Sequence, residues 1–398
     1  MTKDQFTNRN ILLLNLHNIG ISAIFILPVF LLYYQDVIGI GFRELMIAEA
    51  IFSAVVLLME VPSGWLSDVW KRKHTLILGS AINMVGFALL WNADSFLDAC
   101  IAQGLLGVGV SLNSGTVQAF LYDTLLDQGR EDEFSKREGK RFSYGFYSIA
   151  AASAVGGFLY SIDPHLAMGL TGFGYAFAIV CAALLVEPAR HKRTADKHPI
   201  ADMIETMRYA LHGHREVAML IFAGAVMFCG TKVLLWTQQP YYIANDVPAA
   251  WFGVLGACGF LISAVAGQFS HILPAHWPNR YILGGLLAFE VMICVVAGVF
   301  IGWVGVVLIL CGYLVYGFGQ PRMQAALNKR VDSTRRATIL STASLMVHVM
   351  AIPAMTVFGI LEGSMGIDGA LLALGGFIAL LGGPFMIGLI RAEKAPAP

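Results

Sequence analysis

Glu60-Val61-Pro62-Ser63-Gly64-Trp65-Leu66-Ser67-Asp68-Val69-Trp70-Lys71-Arg72-Lys73 joins two apolar runs, 44–66 and 74–92, and places one acid just ahead of three consecutive cations. Each flanking run has about the 20 apolar residues that a helix needs to cross the hydrocarbon core of a bilayer. The charged corner between them then marks a membrane surface, and its cations mark the inner side. With 57% hydrophobic and 13% charged residues over 398 positions, the chain is far too apolar for an ordinary soluble domain. It reads as an all-α polytopic membrane protein.

Working outward from that corner, the same criterion gives twelve transmembrane segments. The first six are 11–34, 44–66, 74–92, 96–122, 142–161 and 165–186; the second six are 217–243, 250–273, 280–301, 303–321, 337–361 and 367–390. The run from Ile11 is too long for a signal peptide and is expected to remain as the first helix. The longest polar stretch, Glu187 to Glu216, carries Arg190, Lys192, Arg193 and Lys197 and divides the chain. The expected domains are therefore 1–190, a linker over 191–215 and a second bundle over 216–398. Within the linker, Ile200, Met203, Ile204, Met207 and Leu211 recur at helical spacing, as in a short amphipathic helix lying on the membrane. Placing both termini in the cytoplasm puts every Lys and Arg except Arg43 and Lys232 on the inner side.

The charged corner resembles the signature loop between the second and third helices of the major facilitator superfamily (MFS), Gly-x-x-x-Asp-Arg-x-Gly-Arg-Arg or Lys. Gly64, Asp68, Arg72 and Lys73 match it, and Trp65 and Leu66 are typical, whereas Val69 replaces an Arg and Lys71 a Gly. The resemblance implies the MFS fold: twelve helices in two six-helix bundles that rock around a central site, working as a secondary transporter. It also implies that a single chain suffices, without cofactor, so a monomer is expected. Pro62 is expected to break the helix near its end, and Gly64 to admit a neighbouring helix. Asp68 is suited to the positive end of another helix. In the family that partner is helix 11, which would begin near Arg336-Ala337-Thr338. A plain solvated turn is the competing reading.

Two further family motifs are partial. Gly107 and Gly109 match a pattern in helix 4, but Gln103 stands where the family has Arg, and of the antiporter motif of helix 5 only the pair Gly156-Gly157 is present. The halves show no strong residue-by-residue repeat, although the 319–338 loop, with Arg322, Lys329, Arg330, Arg335 and Arg336, is placed like the 123–141 loop.

Polar stripes supply an argument that does not depend on the family. Asn15, Asn18 and Ser22 share one face of helix 1, and Gln103, Gly107, Ser111, Ser114 and Gln118 one face of helix 4. Lys232, Trp236 and Gln239 align on helix 7, and Tyr313, Tyr316 and Gln320 on helix 10. A polar stripe at membrane depth has to face protein or water, and these four helices are the ones that line the cavity in the resembled fold. The substrate-binding candidates are therefore Asn15, Asn18, Ser22, Gln103, Ser114, Lys232, Trp236, Gln239, Tyr313, Tyr316 and Gln320, with hydrogen bonds between packed helices as the alternative. Lys232 is the sharpest of them, an intramembrane ammonium that meets either an anionic substrate group or a buried carboxylate.

Glu49, Glu290 and His348 are candidate proton carriers, titratable groups at depth. His17 lies on the opposite face of helix 1 from the asparagines. At the inner helix ends, Glu60, Gly64, Asp68, Arg72, Asp123 and Arg141 are the gating candidates, with Glu60, Asp123 and Arg141 as a salt-bridged latch. No phosphate-binding loop, nucleophile–base pair or metal-ligand spacing occurs, and 26 basic residues against 26 acidic ones give no pull toward nucleic acid. The six cysteines are isolated and read as small buried hydrophobes. The expected partners are a small-molecule substrate, protons and the lipid bilayer of a cell (inner) membrane. The leading expectation is proton-coupled export of an amphipathic compound such as a drug, siderophore or metabolite. The alternatives are uptake of an anionic solute through Lys232 and, further off, a membrane sensor, a lipid scramblase or a membrane-embedded enzyme.

Overall fold

A backbone in hydrocarbon must satisfy every N–H and C=O within its own segment. The computed structural model accordingly holds no strand among its described residues, which are 3–188, 208, 214–270, 277–300, 302–328, 330 and 336–394. The helices are α1 (Lys3–Ser22), α2 (Phe42–Val69), α3 (Arg72–Trp91), α4 (Phe96–Leu126), α5 (Phe134–Ile162), α6 (Pro164–Leu184), α7 (Arg215–Ile243), α8 (Ala249–Gln268), α9 (Asn279–Val299), α10 (Trp303–Asn328) and α11 (Arg336–Lys394). Short turns over Leu27–Val29, Phe30–Tyr33 and Tyr34–Ile38 continue α1. Eleven segments among the described residues are long and apolar enough to cross a membrane.

The last of these helices is a special case. At 59 residues α11 would be about 90 Å long if straight, three times the hydrocarbon thickness. Gly366, at φ 75° and ψ 173°, breaks it into arms over 336–365 and 367–394. This is left-handed territory that glycine enters without a Cβ penalty.

The structure departs from several expected boundaries. The first span is not one helix: Pro28 cannot support a continuous helix through the preceding turn. The freed N–H of Ile26 instead donates to Thr171 Oγ1 of α6 at 3.2 Å. Pro62 does not end α2, which continues to Val69 and leaves only Trp70 and Lys71 before α3. The 319–338 loop is helical as far as Asn328, and Arg322 lies within α10, donating from Nε to Asn279 Oδ1 at 2.9 Å. Cys258 is exposed, unlike the buried cysteine expected there. The linker helix expected around Ile200 to Leu211 lies outside the described residues.

Contacts divide the chain into two compact units: Met1–Glu44, Ile51–Asp196 and Pro248–Phe260 form one, and Leu45–Ala50, Lys197–Val247 and Leu261–Pro398 the other. In the first unit, α3 packs on α4 and α6, and α1 on α5 and α6. Ile11, Leu14, Leu76, Phe120, Leu121, Leu125 and Leu185 form a core at the end nearest the α2–α3 corner. The glycine pair of α5 serves close approach, since a Cβ at Gly156 would strike the Phe25 carbonyl and one at Gly157 the Gly253 backbone. In the second unit, α7 packs against α11 and α10, and α9 against α11 and α10. Phe222 of α7 stacks on Phe385 at 5.0 Å.

Candidate functional site

The α2–α3 corner is tied down by a residue that the sequence did not single out. The first N–H groups of a helix have no intrahelical acceptor and carry the positive end of its dipole. The Glu187 carboxylate, just past α6, accepts both the Arg72 N–H (2.9 Å) and the Lys73 N–H (3.0 Å). The Arg72 guanidinium then pairs with Asp123 of α4, donates to the Ala119 carbonyl and lies 3.8 Å from Asp68. Three gating candidates, Asp68, Arg72 and Asp123, thus meet. Glu60 is half-buried two turns earlier on α2, and its carbonyl accepts from Ser63 Oγ at 3.2 Å. Gly64 is exposed, and among the described residues a Cβ there would meet nothing within 4 Å, so the expected close helix approach is not seen.

Arg141 does not join Asp123 in that group. It is buried on α5, with Nη1 donating to Asn18 Oδ1 at 2.7 Å and two bonds to Glu138 at 2.8 and 2.5 Å. Asn18 Nδ2 in return donates to the Arg141 carbonyl at 2.8 Å, and Ser148 Oγ to the Ile19 carbonyl at 2.8 Å. The polar face of α1 is therefore partly a seam with α5, while Asn15 and Ser22 stay half-buried on either side.

On α4, Gln103 is buried and donates to Tyr34 Oη at 3.4 Å, Ser111 bonds its own backbone at Gly107, and Ser114 and Gln118 are exposed. The opposite face of α1 carries His17, fully buried, with Nε2 3.1 Å from Ser80 Oγ. Ser80 Oγ donates to Asn113 Oδ1 at 3.4 Å, so a buried polar chain runs from α1 through α3 to α4.

In the second unit, Lys232 is half-buried on α7. Glu49, in the Leu45–Ala50 segment that packs into this unit, lies within electrostatic range of it, as does His348 of α11. Three residues read separately from the sequence are thereby linked, with Glu49 and His348 each within electrostatic range of Lys232. Trp236 and Gln239, further along α7, and Tyr313 of α10 are buried, and Tyr316 and Gln320 are half-buried. Tyr316 meets Phe228 edge to face at 5.9 Å.

Glu290 meets the residue that precedes Lys232 on α7. It is fully buried on α9, its Oε1 accepting from Thr231 Oγ1 at 2.9 Å while Oε2 has no partner among the described residues. No group of three or more metal-ligating side chains occurs among the described residues.

Residues 12–355 match the family model of the Major Facilitator Superfamily. No curated protein sequence matches the chain significantly. Among solved structures, a point mutant of the nucleoside transporter NupG superposes with a TM-score of 0.78 at 12% identity, covering 95% of this chain and 99% of that one. A POT family transporter in complex with a thioalcohol-conjugated peptide gives 0.72 at 12% identity, covering 98% and 96%. A bacterial homologue of the human lysosomal transporter Spinster, inward-facing and unoccupied, gives 0.71 at 13% identity, covering 99% of each chain.

Proposed function

Because the chain belongs to the major facilitator superfamily, we propose that it is a secondary transporter that moves a small amphipathic organic solute by proton-coupled alternating access. The observation that carries the coupling is the group Glu49, Lys232 and His348. An ammonium and a carboxylate held together at membrane depth are costly unless paired. A proton delivered to Glu49 removes the pairing and leaves Lys232 to seek another anion. Solute and proton then compete for, or jointly reset, the same charges. On this reading the solute-binding residues of the second unit are Lys232, Trp236, Gln239, Tyr313, Tyr316 and Gln320, and those of the first are Asn15, Ser22 and Ser114.

We take the solute to be carried outward, and the mixture of aromatic and amide groups suits an amphipathic compound. The presence of Lys232 favours a second reading, uptake of an anionic solute whose charge replaces Glu49. Nucleoside and peptide transporters among the structures of similar shape fit a small organic cargo in either direction. We further take the chain to act as a monomer in a cell inner membrane, with twelve crossings, bundles over 1–190 and 216–398 and both termini cytoplasmic.

Proteoliposomes containing a pH-sensitive dye, screened against a solute panel, test the coupling. The expected outcome is a solute-dependent proton flux that falls at least tenfold in both Glu49→Gln and Lys232→Gln. Solute movement with no proton flux in the parent protein sinks the coupling; wild-type rates in both variants remove this charged group from the mechanism.

A further inference from the structure

The two halves share a device that their sequences carry as a repeated dipeptide. Tyr33-Tyr34 lies in the turns that continue α1, and Tyr241-Tyr242 at the end of α7; all four rings are at most 1% exposed. Tyr33 Oη lies 3.3 Å from the Leu90 carbonyl oxygen and 3.5 Å from that of Trp91, the last two residues of α3. Tyr241 Oη lies 3.2 Å from each of the Ala297 and Phe300 carbonyl oxygens, at the end of α9.

The last four carbonyls of a helix have no intrahelical donor, and in an apolar setting an unmet carbonyl is costly. Each first tyrosine supplies a donor at that end, Tyr33 joining the Ala93 N–H that the Leu90 carbonyl already accepts at 3.3 Å. The second tyrosine of each pair meets a glutamine amide: Gln103 Nε2 donates to Tyr34 Oη at 3.4 Å, and Tyr242 Oη donates to Gln238 Oε1 at 3.5 Å. Room for the Tyr241 hydroxyl exists because α10 presents Gly305 there, where a Cβ would overlap it.

We infer that Tyr33 and Tyr241 are matched positioning residues, each tying the far end of its half's first helix to the C-terminus of the third. The first helix of each half then travels with its bundle during alternating access, and its far end does not swing independently. Hydroxyl-to-carbonyl bonds suit this role because they fix an end without filling the space through which a solute passes.

The test uses the full chain in lipid nanodiscs, with the six native cysteines replaced and spin labels placed on exposed sites, at 35 and 92 in one half and at 244 and 299 in the other. Pulsed dipolar spectroscopy reads each distance distribution. Tyr33→Phe, which removes only the hydroxyl, is expected at least to double the width of the 35–92 distribution and leave 244–299 unchanged. Tyr241→Phe is expected to do the reverse. A general loss of stability would broaden both pairs together and lower the melting temperature, which overturns the inference. Unchanged widths in both variants, or a change in one half only, overturn it as well. Tyr147→Phe, at an exposed ring on α5, serves as the control that leaves both distributions alone. No solute or proton gradient enters the measurement, so failure of the coupling proposal leaves its outcome untouched.

Discussion

At the residue scale, the asparagine and arginine that join α1 to α5 show how a polar group at membrane depth is used up. Arg141 is a buried cation whose guanidinium meets Glu138 and Asn18. Removing the asparagine leaves a charged donor short of one acceptor, a defect of about 1–3 kcal/mol. Asn18→Ala is therefore expected to lower the melting temperature of the purified protein by several degrees, while solute affinity in the proteoliposome assay changes less than threefold. A tenfold loss of affinity at unchanged stability would return Asn18 to the binding site. Helical periodicity placed Asn15, Asn18 and Ser22 on one face correctly, and it fixed that this face meets protein or water. It carries no information on which neighbour satisfies each side chain, because Arg141 is 123 positions away along the chain. Lys232 stood out in the sequence because an ammonium in the middle of an apolar run has few explanations, and of the two offered there the structure brings a carboxylate, Glu49, within electrostatic range.

At the scale of elements, the α2–α3 corner separates what a motif conveys from what a fold adds. Asp68, Arg72 and Asp123 were each readable as inner-end residues, but the latch read from the sequence joined Asp123 to Glu60 and Arg141, whereas it is Arg72 that meets both acids. Glu187 was not, because capping a helix start requires only that a carboxylate arrive in space, and this one arrives from the end of α6. Pro62 misled for a related reason: at this position the helix tolerates the lost bond and runs on to Val69. The corner makes separable predictions. Glu187→Ala removes an anion from two backbone donors and is expected to cost about 1 kcal/mol of stability, seen as earlier unfolding on a thermal ramp. Asp68 has a side chain 76% exposed and sits 3.8 Å from Arg72, a geometry worth at most about 1 kcal/mol. Asp68→Asn is thus expected to leave both the melting curve and membrane insertion as they were and yet slow transport severalfold. Unchanged transport would take Asp68 out of the gate.

At the scale of the whole molecule, the all-helical membrane plan was legible from composition and span length alone, because hydrocarbon leaves the backbone so few choices. The likeness of the two tyrosine pairs was not, since what they share is one dipeptide and the kind of carbonyl it meets rather than a run of identities. The number of crossings turns on one residue. A continuous helix from Arg336 to Lys394 crossing once would set the two termini on opposite faces, whereas a reversal at Gly366 gives an even count and sets them on the same face. The backbone at Gly366 favours the reversal, for a φ of 75° cannot lie within a continuing right-handed helix. Single cysteines at Ser364 and Asp94, both exposed, are therefore expected to react with an impermeant maleimide added to intact cells, and cysteines at Lys71 and Gly129 only after permeabilisation. Protection of position 364 alongside labelling of position 94 would make the last helix a single crossing and place the C-terminus outside. Gly366→Ala adds a second, energetic reading of the same turn: a Cβ there meets Asp368 Oδ1 at 2.6 Å in a backbone region that is nearly glycine's alone and costs other residues about 1–3 kcal/mol. The substitution should destabilise the protein by that order if the reversal is real, and by nothing measurable if the helix runs through.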